Sequence, residues 1–366
     1  MTEKLWQNIA LRNSIMTIAE DIAPIFKSQT TEMFGFKARY ISVKNVEFKA
    51  QNLGFCQQYN TEIEFLSDQG SWFKNVIVRY FNSEDEVEHE LKLFNILELN
   101  CLKFPNISPS PLIIVNKNQH YVVYDLLNDK KLQDLDLSVK YQDFLMGTVY
   151  AITHGGKSYE LDIYEIIELV KYGVNDLTAN IKTKLRFLEK VDHYKKLVSA
   201  SKYGYLVSTQ PNPKNFRFRY LISEQSLSEK EISYQNAFEV TILPTQSQEK
   251  VSDRMLDVGL LFADDGFKEF QRTGKVRKTK TRILHFLRAY SIIHKKISSV
   301  SLVQLYPLGY PLDLYMILVV YLSGVNQLNA LQDDNDKQTL IIEFLKYFEF
   351  VLMTHPFQMY RETDIH

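Results

Sequence analysis

The sequence predicts an α+β chain of two lobes, a small mixed N-terminal lobe built on an antiparallel sheet and a larger, mostly helical C-terminal lobe. Two observations predict this class. Within 37–127, apolar and polar residues alternate with the period of strands, and one helical stretch interrupts them. Within 128–366 the apolar residues recur at helical spacing, except in an inserted β-hairpin at 205–244. A chain of 366 residues can form two such lobes.

The elements of the N-terminal part follow from local patterns. Residues 1–36 form a predicted helical segment, because their apolar residues recur near helical spacing. Ser83 is a predicted N-cap with Glu86 three residues on, which is the spacing of a capping box, so a helix begins there. Turn residues separate the strands, as Ser67-Asp68-Gln69-Gly70 does. The predicted strands are 41–48, 61–66, 72–81, 112–116 and 120–126.

The C-terminal part is helical apart from its hairpin, for which we expect strands at 216–223 and 238–243. An isolated hairpin is marginal in water, so this one must pack on other elements. The predicted helices are 141–154, 159–174, 177–201, 253–262, 280–295, 312–331 and 336–353.

Composition excludes several classes of protein. Lys and Arg number 43 and Asp and Glu number 44, so no overall charge draws the chain to nucleic acid or to an anionic membrane. Cys56 and Cys101 are its two cysteines, which is too few for a disulfide framework or a zinc site and favours a reducing compartment. No apolar run reaches the roughly 18 residues of a membrane span. We expect a soluble, cytoplasmic protein.

The ordered elements resemble the protein kinase-like fold, most closely its aminoglycoside phosphotransferase and choline kinase branch. The resemblance implies a site for ATP and Mg²⁺ in an active member, and it spans most of the chain. Each segment alone is weakly specific, and their order carries the resemblance. The segments are VIVRY at 76–80, EHELKLF at 88–94, FLMGTVYAITHG at 144–155, STQPNPKN at 208–215 and DVGLLF at 257–262.

Phosphoryl transfer needs a cradle for the phosphates and a cation that pairs with them. The resemblance places the nucleotide-covering loop between residues 48 and 61, where Gly54 is the sole glycine, and a plain hairpin turn is the alternative interpretation. The phosphate-pairing lysine of the family is replaced by Arg79, whose implied partner is Glu90, or Glu88 in a shifted register. Arg and Lys are not interchangeable at such sites, so the pair is interpreted as a structural salt bridge.

The catalytic loop departs from the family pattern, which is His-Gly-Asp, four residues and then Asn. Asn215 matches the metal-binding asparagine, but Gln210 stands at the position of the catalytic aspartate and Ser208 at that of the histidine. An amide does not accept a proton at neutral pH, so Gln210 is not a general base. The second metal ligand should be an aspartate near Leu243, Pro244 and Thr245, where no carboxylate stands. Asn215 alone is a poor Mg²⁺ site, so no cofactor is firmly expected.

Two further features complete the set of candidate residues. Asp257 matches an aspartate whose role in the family is structural. The segment 272–282 holds six cations and no acid, and it is interpreted either as a solvated loop leading into a helix or as a contact for an acidic partner or a phosphate backbone. Its cations are Arg272, Lys275, Arg277, Lys278, Lys280 and Arg282.

Three functional hypotheses follow. The first is a catalytically degenerate phosphotransferase fold, similar to a pseudokinase, that acts by binding a ligand or, above all, another protein. The second is an active small-molecule kinase in which Glu249 or Asp253 replaces the missing carboxylates. The third is a structural subunit of a nucleic-acid-associated complex that docks through 272–282. The missing carboxylates favour the first hypothesis, and with it a protein that is not an enzyme.

Overall fold

The computed structural model describes part of the chain. The described residues are 2–35, 37–52, 56–104, 106–126, 137–153, 158–160, 185, 188–189, 192, 203–206, 216–220, 238–243, 251–252, 254–298, 302 and 312–358. They divide into two compact units. The first comprises Met1–Asp134 and Lys214–Gln246, and the second comprises Leu135–Pro213 and Ser247–His366.

The first unit is built on a five-stranded antiparallel sheet with the strand order β1-β2-β3-β6-β5. Its register joins Ser67 to Gly70 across the β2–β3 turn, as the turn sequence predicts. The elements up to the end of this sheet are α1 Thr2–Phe34, β1 Ile41–Asn52, β2 Gln57–Ser67, β3 Gly70–Tyr80, α2 Glu84–Cys101, β4 Ile107–Pro109, β5 Leu112–Asn116 and β6 Tyr121–Asp125.

Helix α1 covers one face of this sheet. Its buried residues Ile15, Ile18, Ala19, Ile22 and Phe26 follow helical spacing. They pack on alternate residues of the strands, because side chains on one face of a strand recur every second position. The strand residues of this cluster are Val46, Tyr59, Ile63, Phe65, Trp72, Val76, Val78, Tyr121 and Val123. The helical segment predicted over 1–36 is therefore an integral layer of the first unit.

Helix α2 packs in the cluster on the opposite face, which contains Val87 of α2, Ile77 of β3 and Val122 and Tyr124 of β6. Its start matches the predicted cap. The Ser83 hydroxyl oxygen accepts from the Glu86 N–H at 3.3 Å. The returning bond of the capping box is displaced by one residue, since the Glu86 carboxylate accepts from the Asn82 N–H at 2.8 Å.

The predicted hairpin is present as β9 and β10. These two strands are antiparallel, and β10 also runs parallel to β4 of the first unit. The hairpin therefore packs as expected, and its backbone hydrogen bonds join it to a strand from the N-terminal part of the sequence. The lobe boundaries at 36/37 and 127/128 stay predictions. The strands are β9 Phe216–Tyr220 and β10 Phe238–Ile242, preceded along the chain by α3 Val139–Thr153, β7 Ser158–Glu160 and β8 Tyr203–Leu206.

The second unit is mostly helical in its described part, with a small sheet of order β11-β8-β7. Tyr159 and Glu160 lie in β7 and pair with β8, so the helix predicted over 159–174 does not include these two residues. The remaining elements are β11 Val251–Ser252, α4 Arg254–Thr273, α5 Arg277–Ser298, α6 Leu312–Ala330 and α7 Asp334–Thr354. The α+β class that the sequence predicts is confirmed by this architecture. No helix of the described chain has the length and apolar character of a membrane span.

Candidate functional site

The central feature of the candidate site is an ion pair between β3 and α2. Arg79 Nη1 donates to Glu90 Oε1 at 2.6 Å, and neither side chain is exposed to solvent. Arg79 Nε donates to Gln58 Oε1 at 3.0 Å, and the Tyr124 hydroxyl donates to the same Glu90 oxygen at 2.8 Å. The Arg79 guanidinium carbon lies 5.5 Å from the centre of the Tyr124 ring. The sequence places Arg79 and Glu90 together, and the structure does the same.

The electrostatics of this pair follow from its burial. Burial alone lowers the pKa of Arg79, but the charge of Glu90, the smaller contributions of Tyr124 and Cys56, and the hydrogen bond to Glu90 together outweigh it, so the net shift is upward. Burial, followed by the neighbouring Glu90 charge, raises the pKa of Tyr124 well above its ordinary value. Burial also raises the pKa of the nearby Cys56 thiol to about 12, although Arg79 opposes that shift. Arg79 is therefore charged, while Tyr124 and Cys56 are neutral.

The sheet face around Arg79 is polar on β2. In the antiparallel register Gln58 lies opposite Arg79 and Asn60 lies opposite Ile77, so these side chains share a face. The Gln58 amide donates to the Asn60 side-chain oxygen at 3.2 Å. Gln58 was not predicted as a partner of Arg79. The register of β2 against β3, extended from the Ser67–Gly70 turn, is the signal that identifies it.

Leu243 belongs to the apolar cluster on this side of the sheet. It follows β10 and is 1% exposed. Its cluster contains Tyr124, which bonds to Glu90, together with Cys56, Ile77, Phe81, Val87 and Val122. The sequence resemblance assigns the neighbourhood of Leu243 to a metal-binding aspartate. The described side chain there is apolar and is packed in the core of the first unit.

Several predicted site residues lie outside the described residues. They are Gly54 of the covering loop, Ser208, Gln210 and Asn215 of the catalytic loop, and Pro244, Thr245, Glu249 and Asp253 after β10. The roles assigned to them stay predictions. Within the described ranges, no group of three or more His, Cys, Asp or Glu side chains is placed to hold a metal ion.

Asp257 lies in the first turn of α4 and is buried. Burial raises its pKa well above the ordinary value for an aspartate. Burial, followed by the charge of Asp257, raises the pKa of the Tyr150 hydroxyl of α3 well above its ordinary value. Asp257 thus stands in the interior of the second unit, as a structural residue would, and its predicted link to the catalytic loop stays a prediction.

The basic segment 272–282 spans the end of α4, a turn and the start of α5. Arg282, the last of its cations, is bound to the second unit: its Nη2 donates to Asp143 Oδ1 at 2.9 Å, and its Nη1 contacts Asp265. Asp143 is buried on α3 and was not a candidate residue in the sequence. Arg282 is therefore used within the unit, whereas Arg272, Lys275, Arg277 and Lys278 are exposed and Lys280 is half-buried.

No protein-family profile matches the sequence, and no curated protein matches it. Among solved structures, the chain is similar to a choline kinase from Streptococcus pneumoniae, with 14% identity, a TM-score of 0.41 and coverage of 90% of this chain and 99% of the other. It is similar to an ethanolamine kinase from Plasmodium vivax, with 12% identity, a TM-score of 0.43 and coverage of 85% and 83%. It is also similar to the ADP-bound aminoglycoside phosphotransferase APH(2'')-Ib, with 12% identity, a TM-score of 0.39 and coverage of 90% and 98%.

Proposed function

We propose that this chain is a degenerate phosphotransferase-fold protein that has lost phosphoryl transfer and acts by binding, most of all by binding another protein. The observation that carries the proposal is the burial of Leu243 in the apolar cluster beside the Arg79–Glu90 pair. Mg²⁺ requires hard oxygen ligands, and a buried leucine, the first of the three positions that the resemblance assigns to the second metal ligand, supplies none.

The state of Arg79 supports the same proposal. A cation that pairs with nucleotide phosphates must reach the ligand with at least one donor. The Arg79 side chain is 0% exposed, and its Nη1 and Nε atoms donate to Glu90 and Gln58. In this arrangement the guanidinium ties β3 to α2, which is the structural role expected from the Lys-to-Arg replacement.

The face of β2 is also unsuited to a purine. Nucleotide bases bind against apolar and aromatic side chains, with a few polar groups that orient them. Opposite Ile77 and Arg79, strand β2 presents Asn60 and Gln58, which bond to each other. Together with Gln210 at the position of the general base, these features favour a protein that has the phosphotransferase fold but does not catalyse phosphoryl transfer.

A thermal-shift titration tests the proposal. A ligand present at 100 times its dissociation constant stabilises a protein by about 2.7 kcal/mol, which a melting curve resolves. We expect no shift with ATP plus Mg²⁺ and no release of phosphate. An active choline kinase under the same conditions is the positive control.

The contrary outcome is equally defined. The proposal would be contradicted by a Mg²⁺-dependent rise in melting temperature together with γ-phosphate turnover that Asn215→Ala abolishes. That result would support the active small-molecule kinase. Binding of ATP without metal and without turnover would be consistent with a catalytically degenerate protein and would identify ATP as a ligand.

A further inference from the structure

A groove lies where α4 ends and α5 begins, within the second unit. Its volume is about 470 Å³, which is within the range of ligand-binding clefts. Four cations and two carboxylates line it. These side chains are Asp265, Lys268, Glu269, Arg272, Lys278 and Arg282. The groove brings Lys268, which lies outside the basic segment of the sequence, next to cations from within that segment.

Both carboxylates of the groove already have partners. Glu269 accepts the backbone N–H groups of Lys278 at 2.9 Å and Thr279 at 2.8 Å, and the Thr279 hydroxyl at 2.9 Å. Burial by itself raises the pKa of Glu269, but these hydrogen bonds outweigh it and the net shift is downward. Glu269 therefore stays ionised as the cap of α5, and the start of that helix is occupied by the chain itself.

The cations divide into two sets. Arg282 is held by Asp143 and Asp265 and is half-buried. Lys268, Arg272 and Lys278 are exposed, and no salt bridge reaches them from any described residue. Lys268 and Arg272 are four residues apart on α4, so their side chains are neighbours on one face of that helix. Three cations therefore remain available around one small groove.

The size and composition of the groove favour an acidic peptide over a nucleic acid. A phosphate backbone is bound by an extended track of cations, and unpaired bases stack on exposed aromatic rings. This groove is short, and its lining contains no aromatic residue. Two or three carboxylates of a peptide match three cations, and Arg272 presents a fork that binds a carboxylate bidentately.

We propose that this groove, formed by Lys268, Arg272 and Lys278, binds an acidic segment of a partner protein. The proposal is independent of the nucleotide question, because none of these residues belongs to the first unit. Lys275 and Arg277, which are exposed in the adjoining turn and the first turn of α5, extend the positive surface at its edge.

The test is fluorescence anisotropy with a labelled peptide of alternating glutamate and serine, at low and moderate salt. We expect binding that weakens as salt rises, since exposed charges are screened. The variant Lys268→Glu/Arg272→Glu/Lys278→Glu should bind at least about tenfold more weakly, equivalent to about 1.4 kcal/mol. The control Lys27→Glu/Lys295→Glu/Lys296→Glu changes the net charge equally at exposed lysines and should bind as the wild type does.

Arg272→Ala is a milder variant that removes one exposed side chain and should reduce binding while leaving the melting temperature unchanged. The proposal is overturned if the wild-type protein does not bind the peptide at low salt, or if the triple variant binds as well as the control. It is also overturned if duplex or single-stranded DNA binds, the acidic peptide does not, and the triple variant loses the DNA. The outcome of the ATP titration does not affect this proposal, and the outcome of the peptide test does not affect the conclusion about ATP.

Discussion

At the residue scale, burial decides what the charged side chains of this protein do. The cation Arg79 is buried in a hydrogen-bonded pair with Glu90. Lys268 and Arg272 are also cations, but their side chains are exposed on the surface. A buried ion pair contributes little net stability, because the loss of hydration offsets its attraction, but breaking it leaves an uncompensated charge. The two kinds of cation therefore respond differently to substitution.

The Arg79–Glu90 pair gives a prediction at this scale. Arg79→Met should lower the free energy of unfolding by about 3–5 kcal/mol, because Glu90 is left buried without its partner. Arg79→Met/Glu90→Leu should cost less than the sum of the two single changes, with a coupling of about 1 kcal/mol or more. Urea denaturation of all four proteins measures the cycle. Strictly additive costs would contradict a structural pairing.

At the scale of the elements, glycine allows helices of the second unit to approach closely. A Cβ atom at Gly147 of α3 would lie 2.1 Å from the Phe286 carbonyl oxygen of α5. A Cβ at Gly259 of α4 would lie 2.9 Å from the Tyr315 Cβ of α6, and one at Gly324 of α6 would lie 2.3 Å from the Phe344 ring of α7. The chain has only 13 glycines, and these three stand at helix contacts.

Gly147→Ala is the prediction at this scale. The new methyl group meets helix backbone, which cannot rotate away, so the free energy of unfolding should fall by about 3 kcal/mol or more. The matched control is Gly266→Ala in α4, where the nearest atom is the flexible Met316 Cε at 3.0 Å. That change should cost much less, since alanine also gains about 1 kcal/mol of helix propensity. Chemical denaturation compares them, and equal losses would contradict the close α3–α5 contact.

At the scale of the whole molecule, the net charge is near zero but the exposed cations are unevenly distributed. Lys and Arg nearly balance Asp and Glu over the chain, yet exposed cations collect at the junction of α4 and α5. The cysteines show a related contrast between composition and placement. Both Cys56 and Cys101 are buried, and burial raises the pKa of each thiol to about 12.

The thiols give a prediction for the intact chain. Because the thiolate is the reactive form, neither cysteine should react rapidly with a chromogenic disulfide reagent at about pH 8 in the native protein. Unfolding should release two equivalents, so thiol exposure should follow the loss of circular dichroism signal. The cysteine-free variant Cys56→Ala/Cys101→Ala supplies the blank. A thiol that reacts fully before unfolding would show that its surroundings open locally.

Much of the fold follows from periodic patterns in the sequence. The Ser83 cap, the Ser67–Gly70 turn and the helical repeat of α1 depend on neighbours within a few residues, and each is found where it is predicted. The assignment of 159–160 to a helix was wrong, because pairing with β8 some 45 residues away competes with local helical spacing. The resemblance to the kinase-like fold implied a pair of Arg79 with Glu90 or Glu88, and the structure shows the pair with Glu90.

The sequence by itself determined the α+β class and most of the longer helices and strands of the described residues. Only the tertiary structure decided that Leu243 is buried beside Arg79, that Arg282 is bound to Asp143, and that Lys268 joins Arg272 and Lys278 around one groove. The physical reason is the distance along the chain between the residues that interact. Helix and strand periods are set by local backbone geometry, whereas burial and charge pairing depend on residues that folding brings together from distant parts of the chain.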